Sequence, residues 1–222
     1  MELKQKILMF SIVIAALCAM GAGASQIRQL EWSDLQQKIE FEDPFTKLSE
    51  EQLLHLGAYA RIENLKENAP GRVTPAMQAE VDQGLRLLDS QGIDFQDLLA
   101  KRAEITELRE QQGTAVVTEL DGKQIRMPGF ALPLEYSDKQ ITEFLLVPWV
   151  GACIHTPPPP PNQIVYVKVD KGYKTNGMFE PIWVSGELMA KPLTKNLYLK
   201  DGSADIGVGY TLVANSISPY KK

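Results

Sequence analysis

Cys153 and His155 are the side chains in this sequence best suited to chemistry, and they stand two residues apart. If residues 141–155 end as a strand, alternation puts both on one face of the sheet. A thiolate sulfur and an imidazole nitrogen presented together can supply two ligands to zinc or copper. Five prolines follow at 157–161. Each fixes φ and lacks an N–H, which predicts a stiff polyproline II strap outside the sheet. Asn162 and Gln163 restore hydrogen-bonding capacity as the chain re-enters a strand. One reading is a metal site at Cys153 and His155, with zinc as the candidate cofactor. Around it lies a motif of Trp149, Pro157, Pro158, Pro159, Asn162 and Gln163. Two other readings stay open. Cysteine in an apolar run is commonly a small buried hydrophobe, and the histidine would then be structural. Alternatively, Cys153 is a redox or nucleophilic thiol with His155 as its base.

The N-terminus bears on that choice. Lys4 and Lys6 precede an apolar run over residues 7–20, and Ala22-Gly23-Ala24 reads as a small-residue cleavage site. The expectation is a signal peptide over residues 1–24 and a periplasmic protein with no transmembrane segment in its mature chain. Leu17 stands before Cys18 where a lipid-anchor sequence wants a small residue, so anchoring at Cys18 is the less favoured outcome. Without Cys18, Cys153 has no intramolecular partner. A lone thiol in an oxidising compartment is buried, metal-bound or paired with another molecule. Removing Lys4, Lys6 and Glu2 from 23 basic and 28 acidic residues leaves 21 against 27. Such an acidic chain offers no footprint for nucleic acid and no polybasic membrane patch.

The elements that must position the motif fall into two parts. Residues 25–112 read as a helical N-terminal region. Leu30, Trp32, Leu35 and Ile39 suggest a short amphipathic turn with Ser33 as a possible N-cap. Ser49 followed by Gln52 makes a capping box, and Leu53, Leu54, Leu56, Ala60, Ile62 and Leu65 form a stripe behind it. Thr74-Pro75 opens a second helix. Gly92 ends that helix and Asp94 caps a third, which runs to about residue 112. His55, among apolar neighbours, reads as a structural or surface residue. At Gly113 the apolar period changes from 3.6 to 2. Residues 114–120 and 123–127 flank Asp121-Gly122, which predicts a β-hairpin. Further strands are expected at 141–150, 163–169, 182–189 and 210–217. The fold class is therefore α+β, with a small antiparallel β-barrel over residues 113–222. Gly129 and Gly186 are placed to allow the bends of an oligosaccharide/oligonucleotide-binding barrel. That analogy carries no function by itself.

Three stretches support a family resemblance. They are Gly129-Phe130-Ala131-Leu132-Pro133-Leu134, then Phe144-Leu145-Leu146-Val147-Pro148, then the segment from Gly151 through the prolines to Gln163. Together they resemble a family of uncharacterised bacterial exported proteins whose hallmark is Cys-x-His, a proline run and Asn-Gln. The resemblance covers about half of the mature chain. It implies genes lying beside subunits of macrolide-exporter-type ABC transporters, some in clusters linked to zinc supply. No catalytic residue is carried over.

Three functions follow as expectations. The first is an envelope accessory binding protein that takes a transition metal or assists an ABC-type transporter. The second is a thiol- or metal-dependent enzyme using Cys153 and His155, joined by Glu135, Asp138 or Glu143. No Ser-His-Asp pattern or phosphate-binding glycine loop accompanies them, so no residue is assigned a catalytic or cofactor-binding role. The third is a structural protein-interaction module in which the motif only braces the barrel.

Overall fold

The helices begin where short polar side chains cap them. The computed structural model describes residues 26–138, 140–153, 158–199 and 202–220. Helix α1 (Glu50–Asn68) starts at Ser49, whose hydroxyl accepts from the Gln52 N–H at 3.2 Å. The Gln52 side chain accepts from the Ser49 N–H in return at 2.8 Å, completing the box. Helix α2 (Pro75–Ser90) has Thr74 accepting from the Met77 N–H, with Pro75 in its first turn. Gly92 turns the chain at φ 73°, a conformation glycine adopts without steric penalty. Asp94 then caps α3 (Phe95–Thr114) through the Asp97 N–H. α1 and α2 approach closely at Gly84, where an added Cβ would meet the His55 ring 2.6 Å away. His55 is thus a half-buried packing residue, as its apolar neighbours suggest. These helices form a compact unit of their own, Gln36–Ala115. Leu53 and Leu54 of the expected apolar stripe are exposed, while Leu56 and Ile62 are buried.

The other unit joins residues 26–35 to the described residues from 116 to 220 and holds the barrel. Its strands are β1 (Arg28–Gln29), β2 (Lys123–Ser137), β3 (Gln140–Val147), β4 (Val165–Tyr173), β5 (Glu180–Met189), β6 (Leu193–Leu199), β7 (Gly202–Val208) and β8 (Tyr210–Pro219). The barrel runs β2-β3-β4-β8-β5 and closes through β2–β5. Counted along the chain, its five strands lie in the order 1-2-3-5-4-1. One pairing, β4 with β8, is parallel, so the barrel is mixed and not wholly antiparallel as the strand pattern suggested. The whole is an α+β fold with a small closed barrel, and this order is that of the oligosaccharide/oligonucleotide-binding barrel.

The closure depends on how β2 changes partners. From Lys123 to Ala131 it pairs with β5, and from Phe130 onward with β3. Gly129 sits at the handover, where a Cβ would lie 2.6 Å from Leu146 and 2.9 Å from Trp32. Ile125, Met127, Phe144, Leu146, Val165, Val167, Ile182, Val184 and Leu212 fill the interior. Tyr210 is also fully buried, and its hydroxyl is satisfied twice. It donates to the Leu35 carbonyl and accepts from the Val117 N–H, each at 2.7 Å.

Two differences from the sequence reading have physical reasons. No hairpin forms around Asp121-Gly122. α3 continues to Thr114, and Thr118–Leu120 is a 3-10 turn. Val116, Val117 and Leu120 pack against the barrel core instead of pairing as a strand. Gly122, at φ 68°, still makes a corner, but its N–H donates to Leu188, far along the chain. The second difference is the β6–β7 hairpin, which the strand reading omits. It forms a separate two-stranded sheet, and its Leu197, Ile206 and Val208 are buried.

Candidate functional site

The signature segment starts at the end of β3 and makes a tight turn. Trp149 and Val150 are exposed on its outer side. Gly151 takes φ 85° and Cys153 takes φ 68°, which for a residue with a side chain is a costly left-handed conformation. That turn drives Ala152 and Cys153 inward. Cys153 is buried in a second apolar cluster with Leu132, Leu145, Val147, Ile164, Tyr166, Leu197, Ile206 and Val208. The cluster is built from β2, β3, β4 and the β6–β7 hairpin. Burial alone pushes the Cys153 thiol up to about 11, the opposite of an activated nucleophile.

The later part of the motif is held by backbone and amide contacts. Pro158 and Pro160 are exposed, and Pro159 is buried. Pro160 has φ −58° and ψ 151°, the polyproline II conformation expected of the run. A 3-10 turn at Pro161–Gln163 follows, with Asn162 and Gln163 both buried. The Gln163 amide donates to the Trp32 carbonyl at 2.9 Å, which ties the turn to the start of the described chain. The Gly209 N–H donates to the Pro161 carbonyl at 2.6 Å. Gly209 allows this approach because a Cβ there would come within 2.9 Å of the Asn162 backbone. Its role was not legible from spacing, since it lies nearly fifty residues downstream of the motif.

The remaining candidates are dispersed. His155 and Pro157 lie outside the described residues, as do Cys18 and the expected leader. Glu135 is exposed, and Asp138 is an exposed turn residue at φ 49°. Glu143 pairs with Lys195 at 3.4 Å. No group of three or more His, Cys, Asp or Glu suited to a metal ion occurs among the described residues. The same cluster holds a polar contact that sequence reasoning did not anticipate. Tyr166 is buried, and the Lys195 ammonium lies 3.9 Å from its ring centroid. Glu143 is the polar side chain beside its hydroxyl, with no hydrogen bond of good geometry formed to a described residue. Burial, then the neighbouring Glu143, raises its pKa well above the ordinary tyrosine range. Lys195 comes from β6, so nothing local in the sequence connects it to Tyr166. No helix among the described residues is long and apolar enough to cross a membrane.

Comparison with known proteins gives a consistent picture. No curated protein matches the chain. A crystal structure of a DUF3299 family protein from Pseudomonas aeruginosa PAO1 is 30% identical, with 88% of this chain and 97% of that one covered, at a TM-score of 0.46. The sequence profile described as "Protein of unknown function (DUF3299)" matches residues 32–219, which takes in the helices, the barrel and the whole signature segment. This chain therefore belongs to the DUF3299 family.

Proposed function

We propose that this protein is an exported accessory binding protein of the cell envelope, and that it works by holding a partner rather than by catalysis. The observation that turns the reading away from catalysis is the inward packing of the signature. Ala152, Cys153, Pro159, Asn162 and Gln163 are all buried, and the thiol is less acidic than a free cysteine. A segment arranged in this way braces the barrel and the β6–β7 hairpin. The export component rests on the charged start, apolar run and small-residue site over residues 1–24. Subunits of an ABC-type transporter are the partner class that the family resemblance suggests.

Photo-crosslinking in cells, from probes at exposed positions such as Leu54, Trp149 and Met178, tests this. Specific adducts with envelope proteins are expected. Their absence from every position, with the protein present and exported, overturns the binding reading.

A second reading keeps Cys153 and His155 as ligands to zinc. The observation behind it is the left-handed backbone at Cys153, because strained residues cluster at functional sites. Equilibrium dialysis with zinc, comparing wild type with Cys153→Ser and His155→Ala, decides it. Uptake by the wild type that both substitutions abolish supports the site. Equal, negligible uptake in all three removes it.

A further inference from the structure

The helical unit carries a groove that the signature does not explain. One stretch of it, about 440 Å³, lies along α1 and α3. A second, about 480 Å³, shares Phe45, Leu53 and Arg102 with the first and continues toward Arg109. The floor is apolar, with Leu56, Ala60 and Leu99 among its residues. Leu53 keeps 40% of its surface exposed there. From Leu53 to Asn64 the α1 wall runs about 16 Å, at 1.5 Å per residue, or roughly three helical turns.

The charge around this floor is one-sided. Gln36–Ala115 contains fifteen Asp and Glu against nine Lys and Arg. Yet the groove lining includes Arg61, Arg102 and Arg109 and not one carboxylate. Arg109 is already engaged: it pairs with Asp43 at 2.6 Å and lies over the Phe45 ring. Arg61 projects from α1 and Arg102 from α3, and both are exposed. Neither guanidinium has an ion pair or side-chain hydrogen bond among the described residues. Two unpaired guanidiniums flanking an apolar trough complement a ligand with an apolar stripe and carboxylates on either side. A guanidinium engages a carboxylate bidentately, and helix-in-groove recognition uses anchors at i, i+3 and i+4.

We infer that this groove is the docking site for an acidic amphipathic helix of a protein partner, about three turns long, with carboxylates placed to meet Arg61 and Arg102. The inference rests on the binding reading above and names the surface and chemistry involved. A wholly acidic ligand does not suffice, because the rest of the unit is itself acidic; the apolar stripe is needed to seat it.

Fluorescence polarisation with the full mature chain tests the inference. The probe is a labelled 14-residue amphipathic peptide of Leu and Glu. Its comparators are the Leu and Lys version and a scrambled Leu and Glu version without an apolar stripe. The Leu and Glu peptide should bind at least tenfold more tightly than either comparator. Arg61→Glu with Arg102→Glu should weaken it at least tenfold, Arg61→Lys with Arg102→Lys less so, and Arg86→Glu, on α2 outside the groove, not at all. Unchanged helical circular dichroism confirms that each variant folds. Equal affinity for the three peptides, or an unchanged affinity in the double Glu variant, overturns the inference. Binding to phosphatidylglycerol vesicles without binding to the peptide also overturns it, in favour of a lipid. If Arg61→Glu with Arg102→Glu leaves the envelope crosslinks intact, this groove is excluded while the binding reading stands.

Discussion

Cys153 combines two unfavourable features, a left-handed backbone and a lone thiol, and both are offset by where its side chain goes. Left-handed φ costs about 1–2 kcal/mol for a residue with a Cβ. Burial among Leu132, Val147, Ile164 and Val208 supplies the compensating contacts. Because burial raises the folded-state pKa to about 11, the native thiol stays protonated where the unfolded one ionises. The sign follows from linkage. The stabilisation is fully present below the ordinary cysteine range and is lost as pH rises toward about 11. Denaturant titrations should therefore show stability falling between about pH 9 and 11 in the wild type, with a shallower fall in Cys153→Ala. The native thiol should also react with a disulfide reagent at pH 8 at least a hundredfold more slowly than in denaturant. A native rate matching the denatured one would place the sulfur at the surface.

Among the elements, β5 and its preceding turn show where single changes should do most harm. At Gly186, beside an irregularity in the β5–β8 register, an added Cβ would stand 2.0 Å from the Val213 carbonyl oxygen. Neighbouring backbone cannot swing aside as a side chain can. Gly186→Ala should cost about 3 kcal/mol or more, read as a fall of roughly 10 °C in the thermal midpoint. Glu180 organises the turn between β4 and β5. Its carboxylate accepts from the Tyr173 hydroxyl, the Thr175 hydroxyl, and the backbone and side-chain N–H groups of Asn176. Burial pushes its pKa up, but the donors, led by the Asn176 N–H, outweigh it, and the net shift is downward. This stabilisation is present above the ordinary carboxylate range and disappears as pH falls through the lowered value. Glu180→Gln should cost about 1–2 kcal/mol at neutral pH and flatten the acid limb of the stability profile. The helix starts at Ser49, Thr74 and Asp94 were legible because capping is local chemistry written in adjacent residues. Most barrel strands were legible from period-2 alternation. The Asp121-Gly122 hairpin was misread because a turn signal does not say which strand answers it, and here the partner is β5. The bracing of the signature by Gly209 and Trp32, and the Tyr166–Lys195 contact, are products of tertiary folding with no local signature.

At the scale of the whole molecule, the charge is divided unevenly. Residues 26–35 and 116–222 contain twelve acidic and twelve basic residues, so the net negative charge of residues 26–222 resides in Gln36–Ala115. The connectivity is equally uneven, because the helical unit interrupts the barrel unit in sequence. The two 2.7 Å hydrogen bonds to Tyr210 acquire a meaning here. One phenol oxygen touches the peptide group at which the chain leaves the barrel and the one at which it returns. The Leu35 oxygen and Val117 nitrogen are therefore no farther apart than twice 2.7 Å. An excursion that departs and arrives at one spot can be cut out and bridged, because closing a short loop costs little entropy. Replacing residues 36–115 with a six-residue Gly-Ser bridge should leave a cooperatively melting β protein, and adding Tyr210→Phe should undo much of that cooperativity. On that outcome the helices are a cassette inserted at one point of the chain, which can be resized or exchanged while the barrel keeps its shape.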